Sequence, residues 1–110
     1  MNKVQLTAAK KVVIITEAAI EEQVISLLNA CGAKGYTVYR ELAGKGVRRI
    51  RSGLRTWQGQ FAMNVRIETV LVGEEQALYV MEEVYNKFLA EKYAGIIYLE
   101  DVRVIRTWKF

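Results

Sequence analysis

The chain predicts an α+β fold in which a four-stranded antiparallel sheet carries two helices on one face. Three observations lead there. Hydrophobic periods of about two and about 3.6 residues follow one another in the order strand, helix, strand, strand, helix, strand. At 110 residues the chain fits one domain, 1–110, with enough chain for a core and too little for a third layer. The two halves are joined between the second and third strands by a stretch of about eighteen residues, 43–60, far beyond ordinary hairpin lengths.

Lys11-Val-Val-Ile-Ile-Thr16 is a β-branched run of the kind found in a central strand buried on both faces. Ile20, Val24, Leu27, Leu28 and Cys31 then recur at helical spacing, with Thr16 as the expected N-cap and Gly32 placed to end the helix at its C′ position. Gly35 to Leu42 reads as the second strand. Phe61 to Val72 is the third, with Met63, Val65, Ile67, Thr69 and Leu71 alternating against Asn64, Arg66 and Glu68. The second helix is expected over Glu74 to Lys92, with Ala77, Met81, Val84 and Phe88 on one stripe, acids in its first turn and lysines near its end. Ile96 to Ile105 returns as strand, with Glu100-Asp101 expected to mark a turn or bulge. Two such halves with right-handed crossovers make a ferredoxin-like βαββαβ sandwich. Tyr36, Val38, Met63 and Val65 are expected on the other sheet face, which is too apolar to stay wet, so self-association through the sheet is expected.

Composition narrows the function classes. No apolar run approaches the roughly 18 to 20 residues that span a bilayer, and the polar amino terminus lacks a secretory signal, so a cytoplasmic protein is expected. A single cysteine makes no internal disulfide, and it lies on the apolar stripe of the first helix. The absence of histidine removes the commonest metal ligand and general base, disfavouring zinc sites and Ser-His or Cys-His catalysis. Glu17, Glu41, Glu68, Glu100 and Asp101 show no spacing that dictates acid–base work, so the chain does not read as an enzyme.

The positive charge is localised. Stretch 43–60 holds Lys45, Arg48, Arg49, Arg51 and Arg55 with four glycines and no acid, while the whole chain is only +4. Guanidinium forks match phosphate and carboxylate geometry, and glycine lets a backbone approach a bound group, so the stretch is a candidate anion receptor; a solvated loop is the plain alternative. Three glycine-bearing segments border strand ends: Gly32-Ala-Lys-Gly-Tyr-Thr-Val38, Gly44-Lys-Gly-Val-Arg-Arg-Ile-Arg-Ser52 and Tyr93-Ala-Gly-Ile-Ile-Tyr98. Singly, each can be a cap or a turn. Together they can converge at a subunit boundary on an anionic ligand.

In this order the three segments resemble the PII-like signalling proteins, above all the branch associated with bicarbonate transporters and carboxysomes, the SbtB-like and carboxysome-associated PII-like proteins. The first looks like the family's opening of the second strand, the second like the base of its T-loop and the third like its B-loop. The resemblance implies a homotrimer with adenine nucleotides, AMP, cyclic AMP, ADP or ATP, in the intersubunit clefts, and bicarbonate as a candidate second ligand. Residue by residue it implies phosphate binding by Arg48 and Arg51, a point charge from Lys45, and ligand contacts from Gly44, Gly46 and Ser52. It further implies an adenine end lined by Gly35, Tyr36, Thr37, Val38, Gly95 and Ile96, and a contribution from the tail arginines Arg103 and Arg106, whose spacing differs from the family's. The implied readout is a T-loop over 43–60 that controls a membrane bicarbonate or anion transporter, holding the protein at the inner face of the membrane when docked. No cysteine pair follows the last expected strand, so the redox-responsive carboxyl-terminal loop of some SbtB-like members is not expected here. Trp57, inside the long stretch, is either a partner anchor or packed on the domain. The rival reading is a nucleic-acid-binding ferredoxin-like domain; the basic balance suits it, but Phe61 to Glu68 lacks the stacking aromatics of an RNA-recognition strand.

Overall fold

The computed structural model describes residues 4–42 and 63–105. The elements are β1 (Thr7–Glu17), a single 3₁₀ turn (Ala18–Ile20), α1 (Glu21–Ala30), β2 (Thr37–Leu42), β3 (Asn64–Leu71), α2 (Glu74–Val84) and β4 (Gly95–Val104). The sheet order is β2-β3-β1-β4, with every neighbouring pair antiparallel. This is the expected ferredoxin-like α+β sandwich.

The alternation of β3 decides which face meets the helices. Val65, Ile67, Thr69 and Leu71 are buried, and across the register they face Thr16, Ile14, Val12 and Lys10 of β1. Against this layer α1 presents Val24, Leu27 and Leu28, and α2 presents Ala77, Val80 and Val84. Each fully buried aliphatic side chain contributes about 1.5–3 kcal/mol over exposure, so this seam carries the fold. Val12, Val13 and Ile14 are all inaccessible, the expected signature of a central strand buried on both faces.

Helix ends follow local chemistry. Gly32 has φ of 90°, and its N–H and that of Ala33 donate to the carbonyls of Asn29 and Leu28, closing α1 in a Schellman motif as Gly32 predicts. Thr16, in contrast, does not cap α1. It stays in β1, and its hydroxyl donates to the Ala94 carbonyl at 2.8 Å, while a 3₁₀ turn leads into the helix. Past Val84 the second helix widens into a π turn over Tyr85–Leu89, with Ala90 N–H donating to Tyr85 and Tyr93 N–H to Phe88.

Two further expectations are corrected. Glu100 and Asp101 form no turn or bulge: β4 runs unbroken, and they sit directly across from Lys11 and Lys10. Each carboxylate meets the lysine opposite, Glu100 at 3.3 Å, so charge pairing replaces the expected irregularity. The irregular register lies instead in β2, between Tyr39 and Leu42. Val38 and Val65 belong to the helix-covered face, since Val38 pairs with Ile67 in the core. The face free of described helices carries Ile15, Val70, Tyr98, Val102 and the 56%-exposed Ile96, laced by ion pairs from Lys11 to Glu68 and Glu100 and from Arg66 to Glu68.

Candidate functional site

The described candidate residues gather at two places on the sheet, with Arg103 at a third. At one edge, Gly35, Tyr36, Thr37 and Val38 open β2. This is an outer strand, so along its free side the backbone N–H and C=O groups have no sheet partner within the described chain. The entry is pinned by Thr69, whose hydroxyl donates to the Gly35 carbonyl at 2.6 Å. Gln76 of α2 donates to the Gly32 carbonyl at 3.3 Å and steadies the same corner from above. Tyr36 is 42% exposed.

At the other edge, Gly95 and Ile96 open β4, and here the backbone is held more tightly. Ala94 gives its N–H to the Glu17 carboxylate at 2.8 Å and takes the Thr16 hydroxyl on its carbonyl. A Cβ on Gly95 would stand 2.7 Å from the Ile15 carbonyl oxygen and 3.0 Å from Leu89 Cδ2, so only glycine lets the chain pass. Arg103 is exposed near the far end of β4, eight residues or about 27 Å of strand from Gly95.

One chain does not bring these places together. Thr37 lies in the cross-strand row of Glu68, Val13 and Tyr98, three residues along from Gly95 and three strands across. With strand spacings of about 4.8 Å, that separation is roughly 18 Å. The long stretch leaves from the end of β2 and returns at Met63 and Asn64, the same end of the sheet as Glu17 and Gly95. The remaining candidates, Gly44, Lys45, Gly46, Arg48, Arg51, Ser52 and Arg106, lie outside the described residues, as does Trp57.

Toward the far end of β2, Arg40 donates from Nε and one terminal nitrogen to Glu21 at the start of α1, the closest contact at 2.6 Å. This fork holds the Glu21 carboxyl below its ordinary range and raises Arg40 further. On the face free of described helices, the hydrogen bond that Lys11 donates to Glu100 raises Lys11 above the ordinary lysine value. Among the described residues no three His, Cys, Asp or Glu side chains converge as a metal site, and no helix is long and apolar enough to cross a membrane. Cys31 is half-buried at the end of α1, and burial pushes its thiol up, so it is less readily ionised than a free cysteine.

Sequence reading alone misses the anchors Thr16, Glu17 and Thr69. Thr69 leaves a legible trace, a hydroxyl on the inward face of an otherwise apolar alternation, because a buried hydroxyl needs a partner. Nothing in the sequence points from Thr16 and Glu17 to Ala94.

The model of the nitrogen regulatory protein P-II family matches residues 9–109. The chain belongs to that family, and it is a PII-like signalling protein. A PII-like signalling protein from Thermus thermophilus is 35% identical over 96% of this chain and 98% of its own, with a TM-score of 0.74. CPII from Thiomonas intermedia, a nitrogen regulatory PII-like protein, is 31% identical in a structure bound to ADP, AMP and acetate. That match covers 97% of this chain and 98% of CPII, with a TM-score of 0.76. A CPII structure bound to ADP and bicarbonate matches with a TM-score of 0.75 and 31% identity, covering 98% of this chain and 99% of that one.

Proposed function

We propose that the chain is one PII-like domain, 1–110, that assembles as a homotrimer and binds an adenine nucleotide in each cleft between copies, with bicarbonate as a second ligand. The observation that carries this reading is the placement of the glycine-bearing strand entries at opposite corners of one sheet. They are too far apart to serve one ligand within a chain, and they can close a cleft between two chains. Adenine presents a donor and acceptors on its edge, which suits the free backbone groups of an outer strand at Gly35 to Val38. Gly95 and Ile96 complete that end, and Gly44, Lys45, Gly46, Arg48, Arg51 and Ser52, with Arg103 and Arg106 from the tail, take the phosphates through charge-assisted hydrogen bonds. The CPII complexes with ADP, AMP and bicarbonate support the choice of ligands.

In this reading 43–60 is the T-loop of a regulator that is not an enzyme. A nucleotide that contacts one loop arrangement shifts the population toward it by its differential affinity. The partner is a membrane bicarbonate or anion transporter in inorganic carbon uptake, as in the carboxysome-associated branch, and the protein is cytoplasmic, at the inner membrane face when docked. Light scattering tests assembly, with a stable trimer expected and a micromolar monomer removing the cleft. Calorimetric titration of AMP, cyclic AMP, ADP and ATP, with and without bicarbonate, tests the ligand. Loss of one guanidinium–phosphate bond costs about 1.5–3 kcal/mol, so Arg48→Ala and Arg51→Ala should weaken binding roughly ten-fold or more, with Arg55→Ala near parent. Tight RNA binding at physiological salt without a nucleotide response would hand the function to the nucleic-acid reading.

A further inference from the structure

We propose that Thr16 and Glu17 are positioning residues that set the shape of the Ala94–Ile96 backbone for the ligand and tie it to the root of the long stretch at Met63. The inference rests on the nucleotide reading above. Neighbours in a strand point to opposite faces, yet these two side chains close on one peptide segment, Thr16 on the Ala94 carbonyl and Glu17 on the Ala94 N–H. Both are buried, with 1% and 4% of their surface exposed. The next residue, Gly95, is wedged against the Ile15 carbonyl. Three consecutive β1 residues therefore fix the entry to β4.

The same strand end holds the other partner. Glu17 pairs with Asn64 in the sheet register, and Ala18 N–H donates to the Met63 carbonyl at 2.9 Å. Within three residues, Thr16 to Ala18, the end of β1 and the turn that follows touch both the segment proposed to line the adenine end and the point where the long stretch rejoins the sheet. A ligand seated on Gly95 and Ile96 then bears on the same strand end that holds Met63.

The test uses the full chain and ADP as probe. Thr16→Val, which loses one hydrogen bond, and Glu17→Leu should each weaken ADP binding by about ten-fold or more, whereas Glu17→Gln keeps an acceptor oxygen and should stay within about two-fold of the parent. Without ligand, amide exchange at Ala94 should quicken in Glu17→Leu and not in Glu17→Gln. With ADP, exchange should slow at Ala94 and at Ala18 together. Parent-like ADP affinity in folded Thr16→Val and Glu17→Leu overturns the positioning role, as does equal loss in Glu17→Gln and Glu17→Leu. Protection confined to Ala94 overturns the link to Met63. If Glu17→Leu fails to fold, Thr16→Val and the parent's exchange decide. A parent that binds no adenine nucleotide defeats the nucleotide reading instead, and unchanged ligand-free exchange at Ala94 in Glu17→Leu still overturns the anchor.

Discussion

Gly35 and Gly95 open the two outer strands of the same sheet, yet they are glycines for different reasons. A Cβ on Gly95 would collide with the Ile15 carbonyl, whereas one on Gly35 would meet nothing within 4 Å, and Gly35 is not among the positive-φ glycines. Packing demands the first glycine. The second is free of that demand, and the proposed function gives it a use in the close approach of a bound group. Glycines that read alike in a sequence thus separate into one that packing requires and one that it does not, once their neighbours are known.

The sharpest way to break this contrast is Gly95→Ala. Forcing a methyl against backbone should destabilise the fold by about 1–3 kcal/mol, read as a lower denaturant midpoint at unchanged slope. An unchanged midpoint would show that the β4 entry has room to yield. Thr69→Val comes next. It removes the donor to the Gly35 carbonyl from a buried site and should cost about 1 kcal/mol, with a measurable loss of nucleotide affinity because the β2 entry is released.

The Arg40–Glu21 fork, between the far part of β2 and the start of α1, gives a smaller, pH-dependent effect. Glu21 has its folded pKa depressed by Arg40, so the stability it contributes is present above the ordinary glutamate pKa and is lost as pH falls through the lower folded value. Arg40→Gln should flatten that acid limb of a thermal-melt profile. Because Arg40 is exposed, added salt should flatten the limb in the parent as well. Gly35→Ala should have the least effect on stability, within about 0.5 kcal/mol, while weakening nucleotide binding. A stability loss as large as that of Gly95→Ala would erase the distinction between the two corners.

Element order, the stop of α1 and the apolar stripes were legible in the residues alone, because periodicity and a C′ glycine are local chemistry that survives into the fold. Val24, Leu27 and Leu28 sit where their spacing predicts, and Gly32 adopts the φ that only glycine takes easily. The family was legible too, since three spaced glycine-bearing segments are a linear pattern. Which face of the sheet Val38 and Val65 occupy was settled by the packed fold, because an alternating strand has two faces and its sequence does not say which one meets the helices. Glu100 and Asp101 read as a break until the register set Lys11 and Lys10 opposite them. The grip of Thr16 and Glu17 on Ala94 spans more than seventy residues of chain. Such a contact is made by strand pairing, and no local pattern of residues encodes it.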